Sequence, residues 1–187
     1  MIRSFIAIDI PQSIKNIIAR VQSDFKESGA DVKWVKPELI HLSLKFLGNI
    51  KEEQIDEIKK SMIKSVKGIT PFFMTLTDIG VFPNIRYPRV IWMGLEDKTE
   101  RLLILQKNIE ENLNILGFTP EERKFSPHLT IGRLKSLKGK SRLANMIHAK
   151  KGMNIDGSIS VNKINLMKSE LRVAGPIYSV LETVSLA

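Results

Sequence analysis

A chain of 187 residues, 43% apolar and 26% charged, is sized for one domain, or for two small lobes sharing a core. It has no cysteine, which excludes disulfides, thiol nucleophiles and thiolate-held metals, and no apolar run approaches the roughly 20 residues of a membrane span. A net charge of +9, from 29 basic and 20 acidic residues, attracts polyanions, nucleic acids first among them. The lysines are scattered, so any anion-binding surface must be assembled by folding.

The opening segment, residues 3–10, is β-branched and aromatic enough for a strand. Asp9 and Pro11 break its apolar run, so it reads as a strand entering a helix and not as a secretory signal. Ile14, Ile17, Ile18, Val21 and Phe25 recur at helical spacing, and the helix runs to about residue 27, with Gly29 ending it. A short strand is expected over 32–35 and a turn at Pro37. A longer strand spans 39–47, ended by Gly48-Asn49. The second helix covers about 51–66, with Ile55, Ile58, Met62 and Val66 on one face. Residues 72–82 and 89–95 read as paired strands around a loop, 83–88, that carries Pro83 and Pro88. A third helix covers about 98–116, with Gly117 placed to cap it. Residues 123–134 form another strand, followed by a Lys/Gly-rich loop and a short helix at about 140–149. Two last strands run near 157–168 and 177–186, joined through Gly175-Pro176. Helices and hairpins intermix, which points to an α+β fold with antiparallel sheets.

Two of the three histidines sit in the same pattern, His-x-Ser/Thr-apolar: His41-Leu-Ser-Leu and His128-Leu-Thr-Ile. Each lies on an expected strand followed by a helix, an echo that suggests two similar lobes. Side chains alternate across a strand. His41 and Ser43 therefore share one face while Ile40, Leu42, Leu44 and Phe46 share the other. His128 and Thr130 likewise oppose Leu129 and Ile131. One such unit alone reads as a structural or solvated strand face. Two facing each other can hold a phosphate between two imidazoles, with hydroxyls donating to its oxygens. One neutral ring then takes a proton from water and one protonated ring gives a proton to the departing oxygen. Metal ligation is the competing use of paired histidines. Neither has a His-x-x-x-His spacing or a carboxylate cluster beside it, so neither a metal nor another cofactor is expected. His148, in the fourth helix with no hydroxyl partner, is expected at the surface.

The chain resembles the RNA 2′,3′-cyclic phosphodiesterases, historically called 2′-5′ RNA ligases, of the two-histidine phosphoesterase superfamily. The likeness runs through Arg3-Ser-Phe-Ile-Ala-Ile, Trp34, His41-Leu-Ser-Leu-Lys-Phe-Leu-Gly48, Phe82-Pro and Arg89-Val-Ile-Trp92. It continues in Phe125-Ser-Pro-His-Leu-Thr-Ile-Gly-Arg133, Leu166-Met-Lys-Ser-Glu-Leu171 and Gly175-Pro-Ile-Tyr178. The resemblance implies a single bilobal domain over residues 1–187. Its two pseudo-symmetric lobes are each an antiparallel sheet with helices outside, and they form a central cleft. It implies hydrolysis of RNA 2′,3′-cyclic phosphate ends to 2′-phosphates, with reversible 2′-5′ joining as a side activity and tRNA fragments among the substrates. His41 becomes the acid for the 3′ oxygen and His128 the base for water. Ser43, Thr130 and Arg133 become phosphate contacts, although plain alternation turns Arg133 away from His128. Ser43 stands where threonine is commoner in the family. Lys45, Arg86 and Arg89 could reach flanking phosphates, each weighed against a merely solvated charge. Tyr178, Phe46 and Trp92 could stack on a base, but the strand pattern assigns Phe46 and Trp92 to the core. A cytoplasmic monomer with no membrane attachment completes the expectation.

Overall fold

The computed structural model describes residues 1–152, 155–173 and 175–186. Its strands are β1 (Ile2–Asp9), β2 (Val32–Trp34), β3 (His41–Ile50), β4 (Phe72–Phe82), β5 (Val90–Glu96), β6 (His128–Leu134), β7 (Ser158–Val161), β8 (Lys163–Arg172) and β9 (Gly175–Ser185). Its helices are α1 (Gln12–Lys26), α2 (Ile55–Val66), α3 (Arg101–Asn114) and α4 (Lys140–Ala149). The strands form two antiparallel sheets, one ordered β3-β1-β8-β9 and the other β2-β6-β5-β4-β7. Leaving out β2, the two orders correspond strand for strand, with β3 matching β6 and β1 matching β5. The α+β architecture of two pseudo-symmetric lobes is thus present, and each lobe carries one histidine strand.

The lobes are woven together and do not follow each other along the chain. Helix α1 leaves the first sheet through β1 and packs on the second. Its buried stripe, Ile14, Ile18, Val21 and Phe25, repeats at helical spacing. A Cβ on Gly157, next to β7, would lie 2.8 Å from methyls of both Ile14 and Leu76. Buried Gln22 of α1 donates to the carbonyls of Val35 (2.7 Å) and Ile131 (2.8 Å). Helix α3 leaves the second sheet through β5 but lies against β3 and α2. Helix α4 stays with α1, held by a Lys150–Asp24 ion pair of 2.8 Å. The loop before it brings Gly139 (φ 70°) so close to Ala30 that a Cβ there would meet its Cα at 2.7 Å.

One apolar cluster runs continuously through both lobes, from Ile6, Ile58 and Leu105 to Met93, Ile131 and Ile159. The strand expected over 157–168 is two strands. Asn162 alone separates β7, which edges the second sheet, from β8, which is central in the first. Only the polar pair Asn162-Lys163 marks the crossing, too short to read as a loop. The strand expected over 123–134 begins only at His128, and the last hairpin turns before Gly175, which already pairs with Arg172. No helix among the described residues is long and apolar enough to cross a membrane.

Candidate active site

Both histidines open their strands, and both are fixed in the same way. The Nδ1 of His41 lies 2.8 Å from the carbonyl oxygen of Leu39, and the Nδ1 of His128 lies 2.7 Å from that of Ser126. A carbonyl can only accept, so each Nδ1 carries hydrogen, and each Nε2 is left without a protein partner among the described residues. Leu42 and Leu129 are buried behind them, while Ser43 and Thr130 are half-buried on the histidine side. The strands β3 and β6 approach each other, with Cα atoms within 8 Å.

After the hydroxyl, both strands break alternation at the same place. Opposite β1, Ala7 pairs with Ser43 but Ile6 with Lys45, so Leu44 is an extra residue. Opposite β5, Trp92 pairs with Thr130 but Ile91 with Gly132, so Ile131 is extra. Each is a β-bulge, and each reverses the parity of the residues beyond it. Arg133, which plain alternation turns away, therefore lies on the His128 face, where it pairs with Val90 and is exposed. Gly132 supports this arrangement, because a Cβ there would meet Val32 at 2.8 Å and Trp34 at 3.0 Å.

The structure corrects three expectations. Phe46 is not core: it is 69% exposed and lies on the His41 side, with its ring 5.9 Å from that of Phe5. Lys45 is neither a phosphate contact nor a solvated charge. It points through the sheet, is 5% exposed, ion-pairs with Glu110 and donates to the Thr119 carbonyl at 2.9 Å. Trp92 is not core either. It pairs with Thr130 on the His128 face and is half-buried, with its ring 5.1 Å from that of Phe82 and covering Gly80. Arg86 and Arg89 are exposed at the loop before β5. His148 is exposed on α4, as expected.

The two halves differ in their surroundings. His41 stacks on Phe5 (4.7 Å) and takes the Tyr178 ring edge-on at 5.2 Å. Burial pushes its pKa below the usual 6.5, while the Leu39 carbonyl and the Asp9 charge oppose that push and Lys15 adds to it. His128 meets one aromatic ring, Phe82, at 5.1 Å. Burial raises the pKa of the Tyr178 phenol, and the positive charges of Arg133 and Arg3 hold it down. The charge of Arg133 in one lobe is thus felt by the tyrosine that touches His41 of the other. Sequence reasoning passed over Arg3, Phe5 and Asp9. Alternation along β1 puts all three on one face, opposite buried Ser4, Ile6 and Ile8, and that signal was available in the sequence. Among the described residues, no group of three or more His, Asp or Glu is gathered as a metal cage.

The family model of LigT-like phosphoesterases matches residues 8–92 and again residues 94–178. A protein of Methanocaldococcus jannaschii named RNA 2′,3′-cyclic phosphodiesterase is 41% identical over 96% of this chain and 98% of its own. One of the same name from Methanothermobacter thermautotrophicus is 36% identical over 97% of both. Among solved structures, TT0787 of Thermus thermophilus superposes with a TM-score of 0.79 at 25% identity, covering 98% of this chain and 97% of that one. The E. coli LigT complex with 3′-AMP gives 0.77 at 24% identity, covering 99% and 98%, a likeness of fold.

Proposed function

Because the chain belongs to the LigT-like phosphoesterase family, we propose that it hydrolyses RNA 2′,3′-cyclic phosphate ends to 2′-phosphomonoesters, using His41 and His128 and no metal. The observation that carries this reading is the duplicated histidine unit: the same Nδ1–carbonyl bond, the same neighbouring hydroxyl and the same bulge on two strands that approach each other.

In this reading the cyclic phosphate lies between the two Nε2 atoms. Ser43 and Thr130 donate to its free oxygens and Arg133 pairs with its negative charge. Neutral His128 takes a proton from water at Nε2 as the water oxygen bonds to phosphorus. The bond from phosphorus to the 3′ oxygen breaks, and His41 gives its Nε2 proton to that oxygen. The product keeps the phosphate on the 2′ oxygen. His128 leaves protonated and His41 neutral, and exchange with solvent resets both. Phe46 and Tyr178 flank the His41 side, where an unstacked terminal base would find aromatic faces.

Run backwards with a 5′-hydroxyl in place of water, the same pair would join RNA ends through a 2′-5′ bond. Water at its high concentration favours hydrolysis, which leaves joining as a side activity. tRNA fragments with cyclic ends are within the substrate class. The reading takes residues 1–187 as one bilobal domain, a monomer in the cytoplasm, and the shared apolar cluster supports the single domain. His41→Ala and His128→Ala should each lower turnover of a cyclic-ended oligonucleotide by about 10²–10⁴-fold. Turnover of either variant within a few fold of the parent would refute the mechanism. RNA binding without any turnover in the parent would make the protein a binder instead.

A further inference from the structure

The histidine units are twins, but the residues across the neighbouring strand are not. His41 pairs with Asp9 of β1, whereas His128 pairs with Gly94 of β5. Gly94 is built against any side chain, since a Cβ there would lie 2.3 Å from the Thr77 hydroxyl. Asp9 is held from behind. Asn165, 2% exposed, donates its amide to Asp9 Oδ2 at 2.8 Å, and its own carbonyl accepts from the Thr183 hydroxyl at 2.8 Å. A buried amide with both ends satisfied is a rigid support. It leaves the other carboxylate oxygen of Asp9 without a protein partner among the described residues.

On these observations, and resting on the function proposed above, we propose that Asp9, held by Asn165 and Thr183, is a positioning residue whose charge supports the protonated form of His41 against the desolvation of its ring. The carboxylate does not bond to the ring, because Nδ1 already donates to Leu39 and Nε2 must face the substrate. It acts by charge. A ring stacked on Phe5 and edged by Tyr178 is partly desolvated and tends to lose its proton. The groups facing it from neighbouring elements are Asp9 on β1, Lys15 on α1, Tyr178 on β9 and the Leu39 carbonyl on its own chain segment. Of these, Asp9 and the carbonyl favour the imidazolium, and Asp9 outweighs Lys15. Nothing equivalent stands at Gly94, so the two histidine units differ at this position.

The experiment compares Asp9→Asn with the parent, following the three histidines by NMR titration and turnover of a cyclic-ended oligonucleotide by pH profile. Asparagine still accepts from Asn165, so only the charge is removed. The His41 midpoint should fall by about half a unit or more, as expected for one partly screened charge. The His128 midpoint should stay within about 0.1 unit, and turnover at pH 7 should drop several-fold. An unmoved His41 midpoint, or equal shifts at both rings, would overturn the proposal. If Asp9→Asn does not fold, Asn165→Ala keeps the charge but frees it, and a smaller fall confined to His41 is expected. No fall there would likewise overturn the proposal. The titration needs no substrate, so a parent protein that turns over no cyclic ends would refute the proposed function while the role of Asp9 was still decided.

Discussion

His41 shows how one side chain can be held between two states. Its pKa lies below 6.5 because burial outweighs the Leu39 carbonyl and Asp9. As a proton donor it must be charged, so in the free protein its competent fraction shrinks as pH rises through that lowered value. The expected result is that kcat/KM falls on the alkaline side from below pH 6.5. A phosphate anion bound beside the ring favours the imidazolium, so the corresponding fall in kcat should lie at higher pH. Rate profiles at saturating and limiting substrate would check this, and coincident limbs would argue against it. Removing the Ser43 or Thr130 hydroxyl should cost about 1.5–3 kcal/mol of transition-state binding, the worth of a hydrogen bond to a charged group. Ser43→Thr should be tolerated, since it keeps the hydroxyl and adds only a stiffening methyl.

At the scale of elements, the bulges matter most. Alternation made the faces of His41-Leu42-Ser43 and His128-Leu129-Thr130 legible, and helical spacing located the first three helices within a few residues. It failed at Phe46, Lys45 and Arg133, each two or three residues past the hydroxyl. A bulge is a fact about register with a neighbouring strand, and nothing local to Leu44 or Ile131 announces it. The division into β7 and β8 escaped for the same reason: it is a change of partner, from β4 to β1, marked locally only by Asn162-Lys163. The inward turn of Lys45 has its own consequence. Lys45→Ala would strand Glu110, 14% exposed, and breaking a buried pair in this way costs about 3–5 kcal/mol. Denaturant melts should show a loss of that order. KM for cyclic ends should stay unchanged, because the ammonium faces away from the cleft.

Across the whole molecule, the exchange of helices between lobes ties the two histidine strands into one body. Helix α1 of the first lobe's chain segment covers the second sheet, and α3 of the second covers the first. The contacts that decide this join residues such as Gln22 and Ile131, 109 positions apart, beyond the reach of any local periodicity. The resemblance to a two-lobed family supplied the architecture where the pattern could not. Gln22→Leu would leave the Val35 carbonyl unpaired and the Ile131 carbonyl with only its bond from the Val35 N–H. Stability should drop by about 1–3 kcal/mol per unsatisfied group, as read from thermal or denaturant unfolding.

The net charge of +9 also acts at this scale. If flanking nucleotides lie along the exposed Arg86 and Arg89, kcat/KM for an oligonucleotide should fall steeply with salt. For a single cyclic nucleotide the fall should be shallower. Two-histidine hydrolysis is decided by incubating the protein, with EDTA present, with an RNA oligonucleotide ending in a 2′,3′-cyclic phosphate and determining where the product phosphate sits. Complete conversion to the 2′-phosphate is expected, lost in His41→Ala and in His128→Ala. A 3′-phosphate product, a requirement for added metal, or undiminished turnover in either variant would contradict it.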